Sequence, residues 1–303
     1  MEKVLNLRIM TAVWGSNHAD WFERACARSL SWERNRAAIK NATWTLFTKH
    51  EDVARVTAIA HKVGVKRVEY VELPESVQGN SPNMGAHLLN CLLHMMTTCL
   101  KDGSKLLMAP PDTIFSEGTI ECLLNAGSQK GTCVAVPHPR VSPSIFGGIK
   151  DSPLSGAKLV TLAMKHGHKA WSEAEIGHAN QNSFIGGISW KILGPKLIGV
   201  CHRLPTVYLA DFLPSDLVYF QQPRDGLEPT FGVWDHTWPT DLIAQQRQRV
   251  IGSSDAACIL EVTKEDLNVP PAYPVDTTQP DAYWKNMPHN VINRQYLYVM
   301  REE

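Results

Sequence analysis

The sequence lacks an excess of charge of either sign, a long apolar run and any closely spaced pair of cysteines. Its 30 Lys and Arg residues balance its 30 Asp and Glu residues, so net charge gives no support to binding of nucleic acid or an anionic membrane. No stretch approaches the roughly 18 consecutive apolar residues of a membrane-spanning helix. The seven cysteines include no CxxC pair, so neither a disulfide framework nor a zinc knuckle is indicated.

Two phosphate-binding motifs are also absent. There is no GxGxxG after the first apolar segment and no GxxxxGK[ST] anywhere, which excludes a dinucleotide-binding fingerprint and a P-loop. A nucleotide would then be held through a divalent metal on carboxylates at the end of a strand. The first residues lack the long apolar region and cleavage site of a signal peptide, so we expect a cytoplasmic protein.

The first half of the chain alternates strand-like and helix-like segments. Strands are predicted at 5–13, 43–48, 65–73, 105–108 and 132–136, and helices at 20–33, 51–63, 85–100 and 118–126. This alternation predicts a doubly wound, mostly parallel α/β sheet. A helix at 154–168 and a strand with a glycine bend at 182–190 follow, and residues 200–290 are irregular, which predicts a loop-rich C-terminal half.

Residues 105–112, KLLMAPPD, form an apolar strand that runs into two prolines and an aspartate. Proline cannot donate to a sheet, so the strand must end there. Asp112 is then held at the carboxyl edge of the sheet, where open α/β sheets bind ligands. The alternative is a cap of the next turn, because Ser116 and Glu117 follow closely.

Residues 231–241, FGVWDHTWPTD, concentrate aromatic and ionisable side chains in one stretch. Trp234 and Trp238 offer flat faces on which a sugar acceptor could stack, and Asp235 and His236 could bind a metal or move a proton. The alternative is a rigid loop that is packed by the two tryptophans and stopped by Pro239.

Weaker candidates are spread along the chain. Trp14 and Gly15, at the end of the first strand, suit stacking and close approach to a base, although Trp14 could equally pack in the core. Arg140 could neutralise a diphosphate, or be an ordinary surface arginine. His202 and Glu228 are polar groups of the irregular half that could face an acceptor.

Three runs of the sequence together resemble the A-type (GT-A fold) superfamily of nucleotide-sugar glycosyltransferases. They are TAVWGSNHADWF at 11–22, LFTKHEDVARV at 46–56 and LLMAPPDTIFSEGTI at 106–120. The resemblance lies in the order of elements more than in sequence identity. More specifically, the chain is similar to uncharacterised bacterial glycosyltransferase-like proteins with PPD in place of Asp-x-Asp. It implies a nucleotide-sugar-binding core at 1–140 and an acceptor-side region at 141–303, packed on the same core.

The resemblance also implies roles for individual residues. Asp112 keeps the last carboxylate of Asp-x-Asp, so it would bind the donor and, with His236, a Mn or Mg ion; the first carboxylate is missing. Asp235 is the first choice for a base that activates the hydroxyl of a carbohydrate or other acceptor, with Glu228 and Asp241 as alternatives.

Two other functions remain open at this point. The incomplete Asp-x-Asp also favours a catalytically silent binding protein that keeps the fold. A metal-dependent hydrolase would require Asp112, His138, Asp235 and His236 to converge at one strand edge. Sugar transfer to a base in DNA is a narrower form of the first function, against which the zero net charge weighs.

Overall fold

The computed structural model describes residues 6–74, 77, 84–149, 151–168, 188–193, 196–201, 206–223, 234, 238–264 and 296–301. The strands within these ranges are β1 (Leu7–Ala12), β2 (Thr43–Thr48), β3 (Arg67–Glu72), β4 (Lys105–Met108), β5 (Thr113–Phe115), β6 (Cys133–Val136), β7 (Arg140–Val141), β8 (Ile188–Leu193), β9 (Lys196–Cys201), β10 (Thr206–Ala210), β11 (Gln248–Val250), β12 (Ile259–Val262) and β13 (Tyr296–Arg301).

The helices alternate with these strands through most of the first half. They are α1 (Gly15–Trp21), a π-helical turn (Phe22–Ala27), α2 (Arg28–Leu30), α3 (Glu33–Ile39), α4 (Val53–Val63), α5 (Met84–Asp102), α6 (Thr119–Ala126), α7 (Gly156–Lys165), α8 (Pro214–Gln221) and α9 (Trp238–Ala244), with 3₁₀ turns at His50–Asp52 and Pro143–Gly147. In the part of the chain described, no helix is long and apolar enough to cross a membrane.

The central sheet has seven strands in the order β3-β2-β1-β4-β10-β6-β11. All neighbouring pairs are parallel except those of β10, which runs antiparallel to both β4 and β6. The predicted mostly parallel, doubly wound α/β fold is therefore confirmed. Strands from both sides of the predicted boundary at residue 140 share this sheet, and the division of roles between 1–140 and 141–303 stays a prediction.

Apolar side chains cover both faces of this sheet. Leu7 and Ile9 of β1 pack in one buried cluster and Met10 packs in the other, because successive side chains of a strand point to opposite faces. The π-helical turn, α4 and α6 contribute to the first cluster, whereas α5, α8 and α9 contribute to the second. The helices therefore lie on both faces, as crossover connections require.

Several predicted boundaries are confirmed, and the C-terminal half contains short strands that the sequence pattern did not predict. The strands at 43–48 and 105–108 are observed as predicted, and Gly64 ends α4 with a left-handed φ of 87°. The predicted loop-rich C-terminal half is confirmed, and the described part of residues 200–290 also contains the short strands β10, β11 and β12. These strands are three to five residues long, too short to show a clear periodicity. The glycine bend at 186–187 lies outside the described residues.

A second, three-stranded sheet lies beyond the ends of β4 and β6. Its order is β5-β12-β7, with β12 antiparallel to β5 and parallel to β7. Because β5 follows β4 and β7 follows β6 along the chain, this sheet continues from the carboxyl edge of the central one. It brings a late segment, β12, beside residues that directly follow the central strands.

The antiparallel strand β10 is fixed by a buried ion pair at its end. Lys105 Nζ lies 2.7 Å from Asp211 Oδ2 and donates to the Gly127 carbonyl oxygen at 2.7 Å. The side chains of Lys105 and Asp211 are 7% and 18% exposed. Asp211 also accepts a hydrogen bond from the Gly131 amide, so it ties β10 to the turn before β6.

We predict that Asp211→Ala lowers the free energy of unfolding by about 3 kcal/mol, because it leaves the Lys105 ammonium buried without its partner. Urea denaturation measures this change. Glu121→Ala, which breaks the exposed pair with Arg34, serves as control and should cost less than about 1 kcal/mol. An equal, small loss in both variants would show that Asp211 does not hold β10.

Candidate functional site

The ends of β1 and β4 form a crevice at the middle of the central sheet. From β1 the chain proceeds outward through β2 and β3, then returns to β4 on the other side of β1. In open α/β sheets such a reversal of strand order leaves a ligand-binding crevice at the carboxyl ends of the strands. Trp14 and Gly15 follow β1, and Asp112 follows β4, so the sequence places all three at this crevice.

A cavity of about 370 Å³ occupies this position. One wall comes from the start of α1 and the other from β12 and the residues after it, with Asp112 also in the lining. The lining residues are Trp14, Gly15, Ser16, Asn17, His18, Trp21, Asp112, Glu261, Val262, Thr263 and Lys264. The volume lies within the range of about 300–1,000 Å³ that is usual for small-molecule sites.

The α1 wall is aromatic. The ring centroids of Trp14 and His18 lie 5.6 Å apart, and those of His18 and Trp21 lie 6.1 Å apart, both in edge-to-face geometry. Residues at this spacing share one face of a helix. Trp14 is 7% exposed, and its Nε1 has no hydrogen-bond partner among the described residues. Trp14 packs in the second buried cluster, as its alternative predicted, and also lines the cavity, so this wall offers the apolar ring surface that the core leaves uncovered.

Gly15 sets the direction of α1 as the chain leaves β1. Its φ of +76° lies in the left-handed region, which strains residues that carry a Cβ. Its amide donates to Asp52 Oδ2 at 2.6 Å, so a carboxylate already occupies the start of the helix. Gly15 therefore shapes the cavity lining through its backbone.

The opposite wall contains a paired glutamate that the sequence analysis did not select. Glu261 Oε2 accepts a hydrogen bond from His138 Nε2 at 2.9 Å, and Glu261 Oε1 lies 3.2 Å from Arg140 Nη2. The register of β7 and β12 places Arg140 opposite Glu261. The Val262 amide donates to the Asp112 carbonyl oxygen at 2.8 Å, which holds β12 against the segment after β4.

The two carboxyl groups of the site have pKa values that are shifted in opposite directions. Burial, together with the negative charge of Glu261, raises the pKa of Asp112 to about 7. Burial acts in the same sense on Glu261, but the hydrogen bond from His138 and the charges of Arg140 and His138 outweigh it and hold the pKa of Glu261 well below its usual range. Such perturbed pairs in a cleft are typical of functional sites.

The capping alternative for Asp112 is not supported. Helix α6 begins after Gly118 without a side-chain cap, and the Ser116 hydroxyl is bonded to that of Thr119 at 2.7 Å. In the described part of the chain, no side chain from another residue donates to the Asp112 carboxylate. Asp112 therefore presents a carboxylate to the cavity rather than to a helix end.

Arg140 forms an ion pair with Glu261 and does not line the cavity. Its side chain is 25% exposed, and its Nε is buried with no hydrogen-bond partner among the described residues. The prediction that Arg140 meets a diphosphate is not supported by this placement, and it is not an open surface arginine either. Its charge instead balances that of Glu261.

The two tryptophans predicted to stack on an acceptor are packed in the core. Trp234 and Trp238 are 1% and 0% exposed, their ring centroids lie 4.9 Å apart, and both contact Phe212 and Phe220. Trp238 Nε1 donates to Asp216 Oδ1 at 3.0 Å. Packing, the alternative stated above, is what the structure shows, because no ring face remains open to a sugar.

Asp241 lies away from the cavity. It is in the first turn of α9, where its carboxylate accepts a hydrogen bond from Gln245 Nε2 at 2.6 Å. Helix α9 contacts the edge strand β11, which is three strand spacings, or about 14 Å, from β4. Its placement gives no support to a role as the base. The remaining candidates, Asp235, His236, Glu228 and His202, lie outside the described residues.

Sequence reasoning missed the wall that β12 provides. Glu261 stands in the buried segment CILEV, where a single carboxylate among apolar residues is the available signal for a functional or paired group. Thr263 and Lys264 follow it without any motif. Their position depends on the pairing of β12 with β5 and β7, which the local sequence does not encode.

Among the described residues that line this cavity, Asp112 offers a carboxylate that no other side chain engages. Within the described ranges, no group of three or more His, Cys, Asp or Glu side chains is placed to hold a metal ion, and the oxygens of Glu261 are engaged by His138 and Arg140. One carboxylate suits Mg²⁺ or Mn²⁺ only where phosphate oxygens of a ligand and water complete the shell. The arrangement fits a cation brought with a nucleotide.

Comparison with known proteins gives no family model and no curated protein that matches the sequence. Among solved structures, S. aureus TarS in complex with UDP-GlcNAc is 11% identical, with a TM-score of 0.42 over 89% of this chain and 62% of that one. GalNAc-T7 with UDP, GalNAc and Mn²⁺ is 9% identical, with a TM-score of 0.45 over 88% and 45%. Mouse xyloside xylosyltransferase 1 is 6% identical, with a TM-score of 0.31 over 47% and 55%.

This chain spans less than two thirds of the length of each of the three. Because each TM-score is below 0.5 and each identity is 11% or lower, the chemistry of this chain has to be inferred from its own residues.

We predict that Asp112→Asn raises the melting temperature at pH 8 in the presence of a chelator. The folded-state pKa of Asp112 is raised above its ordinary value, so its ionisation destabilises the folded state increasingly as pH rises from about 4 to about 7 and fully above that. The gain should vanish at pH 4, where the carboxyl is protonated in the folded state and close to half protonated in the unfolded one.

Thermal melts at both pH values, followed by circular dichroism, measure this difference. Asp151→Asn is the control, since that side chain is 97% exposed. A variant that is less stable than the parent at pH 8 would show that the Asp112 carboxylate stabilises the folded protein.

Proposed function

We propose that this chain is a glycosyltransferase that takes a sugar from a nucleotide-sugar donor and transfers it to a hydroxyl group of an acceptor. One observation carries the proposal: Trp14 and Asp112, both predicted to bind the donor, line the same cavity at the reversal of strand order. An aromatic ring and a carboxylate at this position suit the flat and the anionic parts of such a donor.

Transfer of a glycosyl group requires stabilisation of a departing nucleoside diphosphate. Asp112 is the described residue that would hold Mn²⁺ or Mg²⁺ together with the phosphate oxygens, and a bound cation would supply neutralising charge to the leaving group. Glu261 is kept ionised by His138 and Arg140 and remains beside Asp112 as a fixed negative charge, which favours a cation at Asp112.

The acceptor side is proposed from the sequence alone. Asp235 is the proposed base and His236 the proposed second metal ligand, and both lie outside the described residues. Glu228 and His202 stay proposals for the same region. The hydrolase alternative gains no support, since His138 is bonded to Glu261 through Nε2 at 2.9 Å and does not line the cavity that contains Asp112.

We predict that the melting temperature rises by roughly 5 °C with saturating nucleotide sugar of one base family in the presence of Mn²⁺, because a ligand that binds only the folded state stabilises it. The screen contains UDP-, GDP-, CMP- and dTDP-sugars, each with Mn²⁺ and with EDTA. Asp112→Asn should remove the metal-dependent part of the shift, and Asp151→Asn should keep it. No shift with any donor would contradict the proposal.

Turnover separates an enzyme from a silent binding protein. Slow hydrolysis of the donor selected by the screen, measured as released nucleoside diphosphate (or as CMP for a CMP-sugar), is expected for the parent protein and not for Asp112→Asn. Binding without any release, with or without a panel of simple sugars as acceptors, would favour the silent binding protein instead.

We also predict that Trp14→Leu weakens binding of the selected nucleotide by at least about tenfold, since stacking of a base on an aromatic ring contributes on the order of 1–3 kcal/mol. Isothermal titration below the melting temperature measures this loss. Trp32→Leu is the matched control, because Trp32 is also buried, at 2% exposure against 7% for Trp14, but does not line the cavity. Equal losses in both variants would indicate general destabilisation.

A further inference from the structure

The cavity requires a positive charge if it is to hold a phosphorylated ligand. This inference rests on the proposed function, in which the ligand is a nucleoside diphosphate derivative. Two carboxylates, Asp112 and Glu261, already line the cavity, and a diphosphate would add negative charge beside them. A cationic side chain of the protein is expected to offset that charge.

The start of α1 does not supply this charge. The Gly15 amide, the first of the helix, donates to the Asp52 carboxylate at 2.6 Å. An anion placed there would compete with Asp52 for the amide and be repelled by its charge. The phosphates are therefore disfavoured at the aromatic wall, which leaves that wall to the flat, uncharged part of the ligand.

The two basic residues beside Glu261 are not available either. His138 and Arg140 contact Glu261 at 2.9 Å and 3.2 Å, and neither lines the cavity. Removing either from Glu261 would leave a buried carboxylate short of a partner, which is costly. They therefore balance the negative charge of Glu261 and not the charge of a ligand.

Lys264 is the lysine of the cavity lining, and it stands on the wall opposite the aromatic rings. Its side chain is exposed, and no ion pair joins it to a carboxylate in the described part of the chain. Its backbone is fixed on both sides: the Thr263 amide donates to the Val141 carbonyl oxygen at 2.8 Å, and His168 Nε2 donates to the Lys264 carbonyl oxygen at 3.0 Å. The backbone of Lys264 is therefore held in place, and its ammonium group forms no ion pair with the described residues.

We propose that Lys264 pairs with the phosphates of the ligand, and that the ligand lies across the cavity with its base against Trp14 and its diphosphate toward the end of β12. Lys264 takes the role that the sequence suggested for Arg140. This orientation places the phosphates near Asp112, where a cation could bridge them, and keeps them away from Asp52.

The test compares ligands that differ only in phosphate number. Uridine, UMP and UDP, or the corresponding series of the base that the donor screen selects, are titrated calorimetrically in EDTA, so that no metal contributes. For the parent protein, affinity should rise with each phosphate. Lys264→Gln should weaken UDP binding about tenfold, as expected for loss of one charge-assisted contact, and change uridine binding by less than about twofold.

Two variants serve as controls. Lys264→Arg should keep most of the phosphate-dependent gain, because it keeps the charge. Lys130→Gln removes an exposed lysine that lines a different cavity, beside Asp102 and Asp211, and should have no effect. The melting temperature of each unliganded variant should match that of the parent protein.

The result that overturns the inference is parent-like phosphate dependence in Lys264→Gln, or an equal loss for uridine and UDP. This outcome would leave the proposed function intact, since the nucleotide still binds. If the parent protein binds no nucleoside diphosphate of any base family, either in EDTA or with Mn²⁺, the proposed function fails, and the role of Lys264 fails with it.

Discussion

The hydrogen bond from the Val262 amide to the Asp112 carbonyl oxygen, 2.8 Å long, is the contact on which the candidate site depends. It joins the segment that ends β4 to a strand from late in the chain. Pro110 and Pro111 end β4 and so release the backbone of Asp112 to pair with β12. Without this pairing the crevice would have only its α1 wall.

The charges of the site are arranged around one glutamate. Glu261 is held ionised by His138 and Arg140, and its negative charge opposes ionisation of Asp112. The folded protein thus keeps, at the edge of its sheet, a carboxyl that is costly to ionise in the absence of a cation. Native structures retain such arrangements most often where a ligand or proton relieves them. The proposed metal, bound together with a nucleotide, would make ionisation of Asp112 less costly, and Lys264 would offset the charge of the phosphates.

The fold of the first half was predictable because the information is local. The alternation of TWTLFT and the double proline after KLLM each define an element within a few residues, and the order of elements fixes a parallel sheet. Trp14 and Asp112 were predictable as neighbours for the same reason, since the ends of adjacent parallel strands meet. Local pattern does not report β10 or β12, whose pairing joins residues that are distant in sequence.

The same limit explains why the surroundings of the other predicted site residues could not be read from the sequence. Arg140 carries the right chemistry for a phosphate, but its partner Glu261 comes from β12. Trp234 and Trp238 have the composition of a stacking platform, and only their burial against Phe212 and Phe220 shows that they pack the core. Residue type states what a side chain could bind, whereas tertiary pairing decides whether it is free to do so.

The most direct test of the account is a crystal structure of the protein with a nucleoside diphosphate and Mn²⁺. We expect the base to lie against Trp14, the cation to bind Asp112 and the phosphates to lie on the side of Lys264. A nucleotide bound at another surface, or one whose phosphates lie beside Gly15 and Asp52, would contradict it.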